Sequence, residues 1–157
     1  MSAARAGIGF DTHRLEAGRR LILGGVEIDG AQAGLAGHSD ADVLTHAVID
    51  ALLGAAGLGD IGQHFPDTDD AWRDADSMEL LRTVVARVGE EGYGIEHVDA
   101  TVMLERPKLA PHREAIEASL AAVLGSVNVK ATTGEGMGFV GRGEGAAALA
   151  VATIAPR

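Results

Sequence analysis

Asp11 and His13 stand two residues apart in the segment Gly9-Phe-Asp-Thr-His-Arg-Leu15. If that segment is a strand, its period of two projects both side chains from one face. A carboxylate and an imidazole on one side can begin a divalent-metal site of the zinc type, with bonds of about 2.0–2.2 Å. Two polar side chains on a solvated strand face give the same spacing, so the pair alone leaves both readings open. His46 and Asp50 follow Asp42 at one-turn intervals on a predicted helix, and so share its face. His38, Ser39, Asp40, Asp42, His46 and Asp50 crowd polar groups around one helix start. Capping accounts for Ser39 and Asp42, and the helix dipole favours Asp40. Neither accounts for His38 or His46. If this helix packs on the sheet face that carries Asp11 and His13, His46 becomes a third ligand. Three protein ligands leave a fourth tetrahedral position open, as catalytic zinc sites do.

Two further segments hold chemistry-bearing groups. Gly59-Asp-Ile-Gly62, followed by His64-Phe-Pro-Asp67-Thr-Asp69, sets three carboxylates among turn formers. It reads either as an Asx-rich turn or as a lid whose carboxylates bind polyol hydroxyls. Lys130-Ala-Thr132-Thr133-Gly134-Glu135-Gly136 runs a strand into a glycine-rich bend, where hydroxyls and free N–H groups suit a phosphate. Glu135 there can hold Mg²⁺, which keeps water and phosphate oxygens as its other ligands. The spacing is not that of a P-loop. Arg142 and Glu144 alternate with glycines and read by default as an exposed turn.

These residues need a scaffold. Arg5 to Arg14 is predicted as a strand, and Leu21 to Ile28 as a tight β-hairpin turning at Gly24-Gly25. Ala31 to Gly37 reads as a small-residue loop. Ser39 is taken as N-cap, with Asp42 in the capping-box position, of a helix that runs to about Gly57. Gly57 to Asp70 is a long polar loop. Asp76-Ser77 caps a second helix, Met78 to about Glu91, stopped by Gly92. A strand from Ile95 to Leu104 ends at Pro107, and a third helix runs from about Pro111 to Leu124. Val127 to Thr132 is a strand. Ala146 to Ile154 is assigned as the last strand, although its alanines leave a helix open. The order predicts one domain over residues 1–157, an α/β (α+β) fold with a mixed β-sheet and helices on one face.

Composition closes off other classes. The 157 residues carry a net charge of −10 and no cysteine, so disulfides and thiol chemistry are absent and any metal must use His, Asp or Glu. No Lys/Arg cluster offers a phosphate track, which argues against nucleic acid as a partner. No apolar run approaches the ~20 residues of a membrane span, and the start lacks a signal pattern, so a soluble, cytoplasmic protein is expected. Such an acidic chain needs a bound cation or aligned N–H groups to hold an anionic substrate. Glycine makes up 22 of the 157 residues, about twice the ~7% average.

Taken in order, Gly9-Phe-Asp-x-His-Arg-Leu, Gly37-His-Ser-Asp-x-Asp with His46, Leu58-Gly-Asp-Ile-Gly-x-His-Phe-Pro-Asp-Thr-Asp69, Ala75-Asp-Ser77, Pro107-Lys108, and Val129-Lys-Ala-Thr-Thr-x-Glu-Gly-Met-Gly-Phe-x-Gly-Arg-Gly-Glu144 closely resemble the 2-C-methyl-D-erythritol 2,4-cyclodiphosphate synthase family of the non-mevalonate isoprenoid pathway. The resemblance covers nearly the whole chain. It implies that Asp11, His13 and His46 hold zinc or another divalent ion, and that Glu135 helps hold Mg²⁺ or Mn²⁺ on the diphosphate. It makes His38 and Thr133 the catalytic transition-state stabilisers, with Ser39 on the substrate. Asp60, Ile61 and Gly62, with Phe65, Pro66, Asp67, Thr68 and Asp69, would bind the methylerythritol. Leu104 to Ala110, with Lys108, and Ala131 to Thr133, including Thr132, would form the cytidine pocket; Glu105 and Arg106 transfer poorly. The family implies a homotrimer with active sites between subunits and a central cavity that can take an isoprenoid diphosphate near Phe139 and Arg142. The implied reaction is a metal-assisted ring closure that expels CMP, the work of a phosphorus–oxygen lyase. A metal-dependent phosphohydrolase and a non-catalytic trimeric isoprenoid-phosphate binder are the rival readings.

Overall fold

A computed structural model describes residues 3–157. Its main sheet has five strands in the order β4-β1-β7-β5-β6: β1 (Arg5–Ala17), β4 (Ala33–Leu35), β5 (Tyr93–Met103), β6 (Val127–Thr132) and β7 (Gly145–Pro156). β1 pairs antiparallel with β4 and β7, and β5 pairs antiparallel with β7 but parallel with β6, so the sheet is mixed as expected. β2 (Ile22–Leu23) and β3 (Val26–Glu27) form the predicted hairpin, with Gly24 and Gly25 at φ 58° and 77°. Two positive φ values in a two-residue loop match the twist of the flanking strands.

Three helices cover one sheet face: α1 (Val43–Ala56), α3 (Ser77–Glu90) and α4 (Arg113–Leu124). α1 is buried on nearly every side, between β1 and β7 below and α3 beside it. Its seat depends on missing side chains. A Cβ on Gly9 would stand 1.8 Å from the Ala47 carbonyl oxygen, and one on Gly7 would stand 2.1 Å from that of Ala51. Ala146, Ala148, Ala150 and Ala152 of β7 are likewise buried. Glycine in β1 and alanine in β7 therefore let the helix backbone rest directly on the sheet. Those alanines are strand residues, which closes the alternative of a C-terminal helix.

Four local expectations are corrected. The N-cap of α1 is Asp42, not Ser39: its carboxylate accepts from the Thr45 N–H and is wholly buried. The predicted loop from Ala31 to Gly37 contains β4, whose Leu35, Gly34 and Ala33 pair with Leu15, Glu16 and Ala17. Its small residues lack strand propensity; tertiary packing decides, because a Cβ on Gly34 would meet the Arg20 carbonyl oxygen at 2.1 Å. The Gly57 to Asp70 segment holds a one-turn helix, α2 (Ile61–His64), and the glycine-rich bend holds another, α5 (Gly138–Gly141).

Among the described residues, the opposite sheet face carries no helix. Ile8 is 70% exposed and Phe10 55%, and their cross-strand neighbours Val151 and Leu149 are exposed beside them.

Candidate metal centre

Gly9, Asp11 and His13 alternate along the helix-facing side of β1, and His46 precedes Ala47, the residue whose carbonyl lies over Gly9. Close seating of α1 thus carries His46 onto the strand pair. Asp11 Oδ2 lies 2.9 Å from His13 Nε2 and 3.1 Å from His46 Nδ1, and the two nitrogens are 3.3 Å apart. A tetrahedron with bonds of about 2.0–2.1 Å has edges of about 3.3 Å. The three predicted ligands converge as one donor set.

Neighbouring groups decide which nitrogens are bare. His13 Nδ1 is 2.8 Å from the Ala36 carbonyl, which can only accept, so Nδ1 carries the proton and Nε2 offers its lone pair. His46 Nε2 is 2.8 Å from Ser77 Oγ. Ser77 spends its own O–H on the Asp40 carboxylate, so it accepts from His46 Nε2–H and leaves Nδ1 bare. Two lone pairs and a carboxylate oxygen at these distances repel one another unless positive charge joins them. The donor set fits a divalent ion, and protons on the imidazoles do the same work without one. Burial alone would raise the Asp11 pKa, but hydrogen bonds to His13 and His46 hold it down at about 2. Burial pushes His13 down, and its bond to Asp11 outweighs that and raises it.

A cavity of about 410 Å³ opens beside the donor set, lined by Asp11, His13, His46, His38, Ser39, Ile61, Gly62, Phe65, Pro66 and Asp67. Ser39 Oγ accepts from the Ala41 N–H and lies 3.2 Å from His46 Nε2, leaving its O–H to donate. His38 Nε2 donates to the Asp69 carbonyl at 3.2 Å, tying the helix approach to the lid. Several lid carboxylates have local duties instead. Asp60 caps α2 through the Gln63 N–H, and Asp69 caps the next turn through the Ala71 N–H. Neither lines the cavity, nor does Thr68. Asp42 also leaves the predicted polar cluster, accepting from the N–H groups of Gly24 and Gly25. Asp50 anchors the lid by accepting from the Ile61 N–H at 2.7 Å. Trp72 and Leu80 complete the wall and were not singled out by sequence, since an apolar wall residue carries no chemical signature.

Lys108, Ala131, Thr132, Thr133, Glu135, Phe139 and Arg142 do not line this cavity. Thr12, Ala147, Met103 and Thr132 stand in register across β1, β7, β5 and β6. Three strand spacings of about 4.8 Å put Thr132 about 14 Å from the strand that carries Asp11 and His13. Thr132 thus stands apart from the donor set, whereas Phe139 comes back toward it and lines a second cavity with Thr12, His13 and Glu144. Nor are the bend's N–H groups free, as the sequence suggested: those of Gly134 and Gly136 bond to Glu105, and that of Glu135 bonds to Thr133 Oγ1.

Fold and site define an α/β protein with a mixed sheet, a one-sided helical layer and an Asp–His–His donor set open to a lidded cavity. The chain belongs to the YgbB family, which matches it over residues 4–155. It is 62% identical over 154 residues to the 2-C-methyl-D-erythritol 2,4-cyclodiphosphate synthase of Salinibacter ruber, covering 96% of this chain and 98% of that one. A solved 2C-methyl-D-erythritol-2,4-cyclodiphosphate synthase in its CDP-bound form superposes with a TM-score of 0.88 at 39% identity, over 96% of this chain and all of that one. The bifunctional IspDF from Campylobacter jejuni gives 0.94 at 43% identity over 99% of this chain, which spans 43% of that longer chain.

Proposed function

We infer that the chain converts 4-diphosphocytidyl-2-C-methyl-D-erythritol 2-phosphate to 2-C-methyl-D-erythritol 2,4-cyclodiphosphate with release of CMP, as a phosphorus–oxygen lyase of isoprenoid biosynthesis. The observation that carries this reading is the Asp11–His13–His46 donor set beside a lidded cavity, in a chain 62% identical to a protein of that name. The substrate's own 2-phosphate attacks its β-phosphate, so the protein need supply no nucleophile, and this chain has no cysteine. Two anionic groups must meet, and every tenfold in rate is worth 1.36 kcal/mol of charge neutralisation or alignment. Asp11, His13 and His46 would hold a divalent ion, zinc by the chemistry of the donors, which when bound supplies positive charge to phosphate oxygens. Ser39 would direct its free O–H at the same phosphate. His38 and the lid from Asp60 to Asp69 would enclose the methylerythritol, excluding water that would otherwise compete with ring closure.

Glu135 would hold Mg²⁺ or Mn²⁺ for the diphosphate, Thr133 would stabilise the transition state, and Lys108 with Ala131 and Thr132 would receive the cytidine. Because these stand about three strands from the Asp11 group, a complete site takes one group from each of two copies. The bare apolar face around Ile8, Phe10, Leu149 and Val151 supports a homotrimer that buries it. Phe139 and Arg142 would then face a shared axis and bind an isoprenoid diphosphate; Arg142 now pairs with Glu144 at 3.3 Å.

The deciding experiment is ³¹P NMR of the purified protein with that cytidyl substrate, Mg²⁺ and Zn²⁺. CMP and two coupled signals of a cyclic diphosphate establish the synthase. Inorganic phosphate would establish a phosphohydrolase instead, and an unchanged spectrum with metal-replete protein would favour the binding role.

A further inference from the structure

Glu105 lies just past β5, within the Leu104 to Ala110 stretch implied for the cytidine pocket, and itself carried no assigned role. Its carboxylate reaches across to the bend after β6. Oε2 accepts the Gly134 N–H at 2.8 Å and Oε1 accepts the Gly136 N–H at 3.3 Å. The N–H between them, that of Glu135, goes to Thr133 Oγ1 at 3.1 Å. Three successive amides are thus tied, two of them by one side chain from 29 and 31 residues away. Glu135 itself sits at φ 52°, in the left-handed region that residues with a Cβ avoid. Such a conformation persists only where the surroundings impose it. Packing holds the loop on its other side: a Cβ on Gly134 would stand 2.6 Å from the Gly141 nitrogen. The carboxylate is half-buried while Thr133 and Glu135 are exposed, so the clamp lies beneath the loop and its two functional side chains above it. An ionised carboxylate makes stronger bonds to N–H groups than a neutral oxygen does.

We propose that Glu105 is a positioning residue that clamps the Thr133–Gly136 loop, fixing where Glu135 presents its carboxylate to a divalent ion on the diphosphate. The proposal rests on the function inferred above for Glu135. It also links two parts of the pocket, since Glu105 belongs to the same short connection as Lys108. A base bound near Lys108 and a metal ion on the diphosphate would then share one rigid frame.

The test compares wild type, Glu105→Ala and Glu105→Gln as zinc-loaded protein. Hydrogen exchange reads the Gly134 and Gly136 amides, and Mn²⁺ titration with cytidine 5′-diphosphate, followed by electron paramagnetic resonance, reads the loop's hold on metal without any turnover. Expected for Glu105→Ala is exchange at both glycines faster by about tenfold or more and weaker Mn²⁺ binding, with zinc content and assembly mass unchanged. Glu105→Gln keeps one acceptor oxygen and should recover part of both. Unchanged exchange would overturn the clamp, and faster exchange with unchanged Mn²⁺ affinity in both variants would overturn its positioning role. Should wild type fail to make the cyclic product, the synthase reading falls while these two measurements still decide the clamp.

Discussion

Asp40 touches none of the three converging donors, yet the state of His46 depends on it. Its carboxylate consumes the Ser77 proton, which forces Ser77 to accept from His46 Nε2–H and leaves Nδ1 bare. With Asp40→Ala, Ser77 is free to donate, and the His46 proton can settle on Nδ1 where a metal would bind. Zinc affinity should fall about 10–100-fold by competition with a chromophoric chelator, with Asp40→Asn recovering part of it. His46→Ala should lose zinc outright by elemental analysis while keeping its fold; full zinc occupancy would remove His46 from the ligand set. The same cluster makes metal-free protein sensitive to pH in a calculable direction. Asp11, depressed from 3.8 to about 2, adds stability that is present above its unfolded value and lost as pH falls toward 2. His13, raised above 6.5, adds stability that is present below that value and lost as pH rises through its folded one. Chelated protein should therefore unfold at lower urea at about pH 8.5 than at about pH 5.5, and His13→Gln should flatten that difference. The wholly buried Asp42 answers to different physics. Burial raises its pKa, against four donated bonds from Gly24, Gly25 and Thr45.

Between elements, the decisive contact is α1 lying on glycine. Gly9→Ala places a methyl 1.8 Å from the Ala47 carbonyl oxygen, so the helix must lift and take His46 with it. The expected result is a loss of about 1–3 kcal/mol or more by urea denaturation together with weakened zinc binding. Gly54 of the same helix is the control: a Cβ there meets nothing closer than 3.9 Å. Gly54→Ala should gain about 0.5–1 kcal/mol and leave zinc affinity alone. This contact also explains what could be read in advance. Alternation along β1 and the apolar pattern of α1 made Asp11, His13 and His46 legible as candidate ligands on facing surfaces, and the packing of α1 on β1 brings them together. Position along the chain did not reveal Ser39's true place: Ser and Asp are equally good caps, and only the Gly24-Gly25 turn, reached through space, selects Asp42. The β4 strand was hidden for a similar reason, since Ala-Gly-Leu has no strand preference until β1 offers an edge. Glu105 carries no local signal at all, as its partners lie about 30 residues away.

At the scale of the whole molecule, the proposed function makes one chain half of two sites. Thr132, at the root of the Thr133–Glu135 loop, stands about three strand spacings from the strand of Asp11 and His13, and in the proposed reading one chain does not bring the two groups together. A second copy can, and the uncovered apolar face gives it a reason to dock. Complementation tests this directly. His46→Ala and Glu135→Ala should each be inactive in a homo-oligomer, because every site lacks one group. Co-expressed with different affinity tags and isolated as mixed assemblies, they should regain activity. If each site draws its zinc ligands from one copy and its loop from the next, every mixed trimer keeps about one third of its sites intact. If one chain supplied both halves, every site would keep one lesion and mixing would restore nothing. A Phe10→Asp, Leu149→Asp variant sharpens the result, for it should run as a monomer that still binds zinc through Asp11, His13 and His46 yet turns over no substrate. Zinc binding tracks one chain and catalysis tracks the assembly, so the two readouts must part company in that variant.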